Sequence, residues 1–361
     1  MKIYRVGGYV RDKLLGIAPH DCDYVVVGSS AAEMLSLGYR QIGSFFPVFL
    51  HPSSGEEYAL ARVERKSGQG HCGFSIEHPP TVSLEQDLER RDLSINAIAE
   101  DQNGQLIDPY GGIADLNNGI LRHVSSAFSD DPLRILRVAR FAAKLNFKVA
   151  PETLSLLKEM AQSREGLTIS RERVVNELQR ALAEPYSWRF FEVLAASANL
   201  AIFFPGLARA MEAKLQDFSR DLHGTTTIWQ RYSLCAIYLG AAPYGELSLT
   251  TTVLDYLKHS QLLHQALAKT LNAAEILLLI KKISAVRNYP RFEHLTSNYS
   301  YYLQQHHSTY AMEHLQLLQQ IVAALCYLPI AELQQRDSKN LAAAIHQWQL
   351  DTIHNFLELR I

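Results

Sequence analysis

The sequence predicts an α+β protein, with an α/β head followed by an all-helical neck, body and tail. Three observations predict it. Short β-branched runs, punctuated by Gly, Pro and Ser, occupy residues 1–128. From Ser129 onward the apolar residues recur at helical spacing. With 361 residues, 47% of them hydrophobic and 20% charged, the chain is long enough for more than one domain and can bury a sizeable core. The expected divisions are a head at 1–128, a neck at 129–205 and a body and tail at 206–361.

In the head, Ile3–Val6 is a short apolar strand ending at Gly7-Gly8, and Tyr24–Val27 is a β-branched strand ending at Gly28. Val48–Leu50 and Tyr58–Ala61 are further strands. Ser30–Leu37 is a short helix with a serine cap. The neck opens on Asp131-Pro132, an N-cap followed by proline at the first helical position. Helices are then expected at Pro132–Leu145, Glu152–Ala161, Arg171–Ala183 and Ser187–Ala196. The tail stays helical, with loops expected at Asp221–Thr227, Ala241–Ser248 and Asn288–Ser300. No internal repeat is present.

Several function classes are excluded early. The longest apolar runs, Ile276–Ile280 and Ile321–Leu328, fall far short of a membrane span of ~20 residues. The start, Met1-Lys2-Ile3-Tyr4-Arg5, reads as folded sequence rather than a secretory leader. Cys22, Cys72, Cys235 and Cys326 form no C-x-x-C pair, which argues against a disulfide framework or a structural zinc and fits a cytoplasmic protein. No G-x-x-x-x-G-K-[ST] occurs, so a P-loop enzyme is not expected. No motif points to a protein partner. The net charge of −2 is uneven. Residues 1–140 carry 14 Lys and Arg against 18 Asp and Glu, whereas residues 134–189 carry 11 against 6. A basic segment in a neutral chain suits either a polyanion or a solvated helix face.

Four segments carry chemistry. Val6-Gly7-Gly8 precedes Asp21-Cys22-Asp23-Tyr24. Alternate residues of a strand share a face, so Asp21 and Asp23 present two carboxylates together. Such a pair is costly without a cation, and Mg²⁺ is the hard ion that takes carboxylates while leaving room for phosphates. Gly7-Gly8 would let the backbone approach a triphosphate. Glu56-Glu57 stands at the start of the next strand, where Glu57 is either a third carboxylate or part of a polar strand start. The second segment is Arg90-Arg91-Asp92-Leu93-Ser94-Ile95-Asn96-Ala97, with arginines for phosphate or ribose and an Asp to orient them. The third, Asp108-Pro109-Tyr110-Gly111-Gly112, reads as a structural turn. In the fourth, Asp130-Asp131-Pro132-Leu133-Arg134 and onward, Arg134, Arg137 and Arg140 form an i, i+3, i+6 stripe flanked by Leu133, Leu136 and Phe141. Buried arginine needs an anion. Acidic protein groups and a bound phosphate are both open here.

The Gly-Gly turn ahead of D-x-D is the pattern of polymerase-β-like nucleotidyltransferases. The four segments in order, with Glu172-Arg173-Val174 after them, resemble class II tRNA nucleotidyltransferases, the CCA-adding enzymes, of proteobacterial type. The resemblance runs from Met1 to about Glu177. It implies addition of C, C and A to the 3′ end of tRNA from CTP and ATP, without a nucleic-acid template. It implies Mg²⁺ on Asp21 and Asp23, with two ions ~3.5–4 Å apart serving an in-line displacement. It implies Gly8, Arg11, Arg91, Arg137 and Arg140 on the nucleotide, and Asp131 and Arg134 reading the base. A carboxylate only accepts hydrogen bonds and a guanidinium only donates. Cytosine and adenine offer an amino donor beside an acceptor and fit that pair. Uracil and guanine offer a carbonyl there and do not.

Departures from the family pattern are Asp130 where Glu is usual and Ser94 where Thr is common. His20-Asp21 is the only His-Asp dipeptide in the chain, so no phosphohydrolase activity is expected. The segment Arg65–Thr81, with Gly68, Gly70 and Gly73, is full length and favours complete CCA addition over CC addition. Poly(A) polymerase, a CC- or A-adding enzyme, and an RNA-binding protein on an inactive scaffold are the alternatives.

Overall fold

The computed structural model describes residues 1–361 except 20, 43–47, 67–73, 164, 212–213, 241–248, 337–339 and 360–361. Gly68, Gly70 and Gly73 of the Arg65–Thr81 segment and the expected loop at 241–248 therefore lie outside the described residues. Two compact units are present, Met1–Pro205 and Gly206–Ile361.

The first unit is built on a seven-stranded sheet. Its strands are β1 (Lys2–Val6), β2 (Asp23–Val27), β3 (Arg40–Ile42), β4 (Val48–Leu50) and β5 (Glu57–Leu60). After the hairpin of β6 (Val63–Lys66) and β7 (Phe74–Glu77), β8 (Ala99–Glu100) and β9 (Leu106–Ile107) complete it. The order across the sheet is β3-β4-β5-β2-β1-β8-β9. Alternation along the strands divides the core. Val6, Val25, Ala61, Leu88 and Ala99 pack on one face, and Val26, Met34, Phe49, Tyr58 and Leu60 on the other.

The register places the chemistry. β1 and β2 run antiparallel with Val6 opposite Asp23, so the glycine turn that follows β1 lies beside the start of β2. On the other side of β1, Val6 pairs with Ala99 of β8, which draws in the Arg-Arg-Asp block that precedes β8. β5 runs parallel to β2, with Tyr24 opposite Tyr58. Their rings stack at 4.3 Å, so Asp23 and Glu57, one residue earlier on each strand, face the opposite side together.

Helices α1 (Gly8–Leu14), α2 (Ala31–Ser36), α3 (Leu84–Glu89) and α4 (Gly112–Asn118) cover the sheet region. α5 (Leu133–Leu145), α6 (Pro151–Ser163), α7 (Arg171–Ala183) and α8 (Trp188–Ala196) follow close to their expected positions. α5 buries Ile135, Leu136, Val138, Ala139, Phe141 and Ala142, each large apolar side chain contributing roughly 1.5–3 kcal/mol. It ends at Asn146, which takes the left-handed conformation at φ 56°.

The Asp108 segment is structural. Its carboxylate accepts from the N–H groups of Gly112 and Ile113 at 2.7 and 2.9 Å, capping α4. Asp115 of α4 accepts from the Ser94 hydroxyl at 2.6 Å, bracing the block from behind.

The second unit is helical throughout its described residues. No described helix is long and apolar enough to cross a membrane. One sequence expectation is overturned there. Asn288–Ser300 is not a loop but the greater part of a helix, Tyr289–Gln305. The Asn288 side chain accepts from the Arg291 N–H at 3.3 Å, and Pro290 sits in the first turn. Asn-x-Pro here is a start signal rather than a break. Phe292, Leu295, Tyr299 and Leu303 then bury one stripe. The expected loop at Asp221–Thr227 is also shorter, because the preceding helix runs to His223.

A methyl group on Gly112 would sit 2.2 Å from the Ser94 carbonyl oxygen and 2.8 Å from the Ile98 Cγ1. Overpacking of this kind costs about 1–3 kcal/mol or more. Gly112→Ala should lower the thermal unfolding midpoint by at least a few degrees in calorimetry. An unchanged midpoint would show that the helix is free to shift.

Candidate active site

An open cavity of 450 Å³ lies where the glycine turn, the Arg-Arg-Asp block, α5 and α7 meet. Gly7, Gly8, Arg11, Asp23, Arg90, Arg91, Asp92, Asn96, Asp131, Arg134, Arg137 and Arg173 are among its lining residues. Six guanidiniums thus face three carboxylates, a surface suited to a polyanion.

The arginines are held rather than loose. Arg11 Nε donates to Asp12 at 2.8 Å and its Nη1 to the Asn96 Oδ1 at 2.6 Å. Asn96 in turn donates to the Asp92 Oδ1 at 3.0 Å. The other Asp92 oxygen accepts from Arg137 Nε and Nη2 at 2.7 and 2.6 Å. Arg90 and Arg91 share Asp87 at 2.8 and 3.3 Å. Arg134 donates to two backbone carbonyls, of Ala127 at 2.8 Å and of Arg90 at 2.5 Å. Asp131 accepts from the Leu133 N–H at 3.1 Å and faces Arg173 at 3.3 Å. The Phe141 ring lies under Arg11, Arg137 and Arg140 at 4.7–5.8 Å.

Burial pushes the Asp92 carboxyl up, but the Arg137 guanidinium and the Asn96 and Arg137 hydrogen bonds outweigh it and hold it well below the usual carboxylate range. Asp92 raises Arg137 in return. Burial also pushes Asp87 up, and Arg90 and Arg91 more than reverse that. Burial lowers Arg91, against the pull of Asp87, and its Nε is buried without a hydrogen-bond partner. A Cβ on Gly7 would meet Arg91 Nη1 at 2.9 Å, and Gly7 has φ +69°. Glycine is what admits Arg91 to the turn.

Of the residues singled out in the sequence, Gly8, Arg11, Arg91, Asp23, Asp131, Arg134 and Arg137 come together in the cavity. Arg140 does not line it, and its Nε donates to Glu177 at 2.6 Å. Protein carboxylates supply the anion for Arg137 and Arg140, whereas Arg134 donates to neutral backbone carbonyls. Asp21 also lies outside the lining and precedes β2, which begins at Asp23. Glu57 opens β5, exposed.

Asp21, Asp23 and Glu57 are not gathered into one three-ligand group, and no such group exists among the described residues. The donor set still fits a hard cation. The acids around them, Asp12, Asp87, Asp92, Asp131 and Glu177, are each ion-paired. Asp21, Asp23 and Glu57 make no ion pair among the described residues. A carboxylate pair completed by phosphate oxygens is a set that Mg²⁺ accepts.

Sequence reasoning missed Asn96, Asp87 and Arg173 as site residues. Asn96 and Arg173 stood inside quoted motifs, but their partners lie 85 and 42 residues away, which spacing along the chain does not reveal. Asp92 was expected to orient its neighbouring arginines, and it holds Arg137 instead.

Comparison with known proteins follows the same segments. Residues 3–122 match the family model of the poly A polymerase head domain. Residues 146–211 match the one described as a probable RNA- and SrmB-binding site of polymerase A. The chain is 59% identical over 205 residues to a Multifunctional CCA protein of Nitrosococcus oceani, covering 57% of this chain and 50% of that protein. It is 58% identical over 208 residues to one from Pseudomonas aeruginosa, covering 57% and 51%. The chain thus spans about half the length of these curated relatives. Among solved structures, the CCA-adding enzyme of Bacillus stearothermophilus in complex with CTP is similar at a TM-score of 0.60 and 26% identity, over 82% of this chain and 78% of that one. A CCA-adding enzyme in complex with ATP shares the fold at a TM-score of 0.66 and 21% identity, over 98% and 86%.

Asp92 contributes stability through its ionised form. A carboxyl held below its unfolded value keeps that contribution at every pH above the ordinary range near ~4 and loses it as the pH falls through the lowered value. Asp92→Asn, which leaves Arg137 without its anion, should destabilise the protein at pH 7 by on the order of 3 kcal/mol. It should also flatten the acid side of the stability profile. Equal stability of the two proteins at pH 7 in urea titrations would contradict the assignment.

Proposed function

We propose that this protein is a nucleotidyltransferase that adds C, C and A to the 3′ end of tRNA, a reading supported by the match of residues 3–122 to the poly A polymerase head domain and of residues 146–211 to the probable RNA- and SrmB-binding site of polymerase A. One observation carries the reading. The cavity sets a cluster of anchored arginines beside the unpaired carboxylate of Asp23, with Asp131 and Arg134 on its wall.

In this proposal Arg11, Arg91 and Arg137 receive the triphosphate, near the Gly7-Gly8 turn where no side chain intervenes. Arg140, outside the cavity lining, packs on the Phe141 ring at 4.7 Å. Asp21 and Asp23 hold Mg²⁺, and Glu57 supplies a third carboxylate from the neighbouring strand. The metal, when bound, would activate the 3′ hydroxyl and stabilise the leaving pyrophosphate. Asp131 accepts from the amino group of cytosine or adenine, and Arg134 donates to the adjacent ring nitrogen. Carbonyl contacts hold the Arg134 side chain in place before any base arrives, which limits the reorganisation that base reading requires. The basic helices of residues 134–189 offer phosphate contacts for the acceptor end of tRNA. Complete CCA addition is favoured over poly(A) synthesis because curated relatives and solved structures similar to this chain are named for CCA.

The test uses purified protein, Mg²⁺ and a tRNA ending at the discriminator base, with 3′ ends read at nucleotide resolution. Growth by two with CTP and by three with CTP and ATP is expected, with none from UTP or GTP. A stop after two with ATP present indicates CC addition, a long A tract indicates a poly(A) polymerase, and no growth contradicts the reading. Asp21→Ala and Asp23→Ala should each abolish growth. Arg134→Ala should relax base choice more than it slows transfer.

A further inference from the structure

Asp131 meets the protein at two points. One oxygen accepts the Leu133 N–H at 3.1 Å, which caps the start of α5. The other faces the Arg173 Nη2 at 3.3 Å, reaching across from α7. Both side chains line the cavity and both are about a quarter exposed, at 24% and 26%. Two contacts on two oxygens define the plane of a carboxylate, whereas the cap alone would leave it free to turn.

Arg173 differs from the other arginines of the cavity. Arg11, Arg90 and Arg91 are engaged with Asp12 and Asp87, which do not line it, and Arg137 is engaged with the buried Asp92. The partner of Arg173 is instead the quarter-exposed carboxylate to which base reading is assigned above. The contact of 3.3 Å is longer than the ~2.7–2.9 Å of a tight charge-assisted bond. A carboxylate offers about four acceptor directions, so an incoming amino group can take one without displacing the guanidinium.

We infer that Arg173 is a specificity-determining residue of this site. It sets the plane of the Asp131 carboxylate from the side, so that an acceptor direction faces the incoming base. The inference rests on the assignment of Asp131 as base reader, and Arg173 acts through it as a positioning residue. The rejection of uracil and guanine is directional, because their carbonyl oxygens must meet a carboxylate that cannot turn away. Without Arg173 the carboxylate rotates about its cap and the wrong base is admitted. Discrimination therefore falls more than transfer does.

The experiment compares kcat/KM for CTP and UTP on tRNA ending at the discriminator base. The proteins are wild type, Arg173→Ala, Arg173→Lys, Asp131→Ala and the Arg173→Ala/Asp131→Ala double variant, with thermal unfolding recorded for each. Arg173→Ala should narrow the preference for CTP over UTP by roughly tenfold or more, with the loss for CTP falling mainly on KM. Lysine keeps the charge without the planar fork and should restore the preference in part. In the Asp131→Ala background the second substitution should add no further loss. If Arg173→Ala fails to fold, Arg173→Gln carries the same expectation. A wild-type preference in Arg173→Ala, or an undiminished loss in the Asp131→Ala background, overturns the inference alone. A wild-type protein that adds neither C nor A overturns the functional reading and the inference together.

Discussion

The buried carboxylate of Asp92 is the constraint on which the rest of the site depends. It is 6% exposed, and an ionised group at that depth is tolerable only when it is fully paired. Its two oxygens do different work. One accepts from Asn96, which fixes Arg11 behind the glycine turn. The other accepts twice from Arg137 of α5. A single anion thereby ties the first helix, the Arg-Arg-Asp block and the neck helix into one rigid wall. Lys144, also on α5, closes the chain from the far side through Asp12 at 3.2 Å.

The same logic explains how the site can be basic and still folded. Unpaired arginines packed this closely would repel one another, so each is given a protein acceptor, either a carboxylate or a carbonyl. Arg11 is held through Nε, Nη1 and Nη2, and Arg137 through Nε and Nη2. A guanidinium carries five N–H donors, and the buried Arg91 Nε has no hydrogen-bond partner among the described residues. Asp21, Asp23 and Glu57, near one end of β2 and β5, make no ion pair among the described residues. That division between neutralised and free charge is the electrostatic signature on which the proposed chemistry rests.

Much of this was legible in the sequence, and the limits were physical. Strands Lys2–Val6 and Asp23–Val27 and helix Leu133–Leu145 declare themselves locally, through β-branched runs, glycine stops and an Asp-Pro cap. The arginine stripe was visible, but not which anions it meets, because the partner of Arg137 is 45 residues away and that of Arg140 is 37. The resemblance implied Arg140 as a nucleotide ligand, and its Nε donates to Glu177. Asp21 read as part of the strand and stands just before it. The helix Tyr289–Gln305 was hidden because Asn and Pro both open helices and break them, and only the buried stripe of Phe292, Leu295 and Tyr299 decides between the two.

The most direct test of the account is a structure of the protein with CTP and a divalent cation. It should place the triphosphate against Arg11, Arg91 and Arg137 while the Asp92–Arg137 contact stays intact, with the cytosine edge on Asp131 and Arg134. A nucleotide bound only after Arg137 leaves Asp92, or a base that meets neither Asp131 nor Arg134, would contradict a site organised in advance around that buried carboxylate.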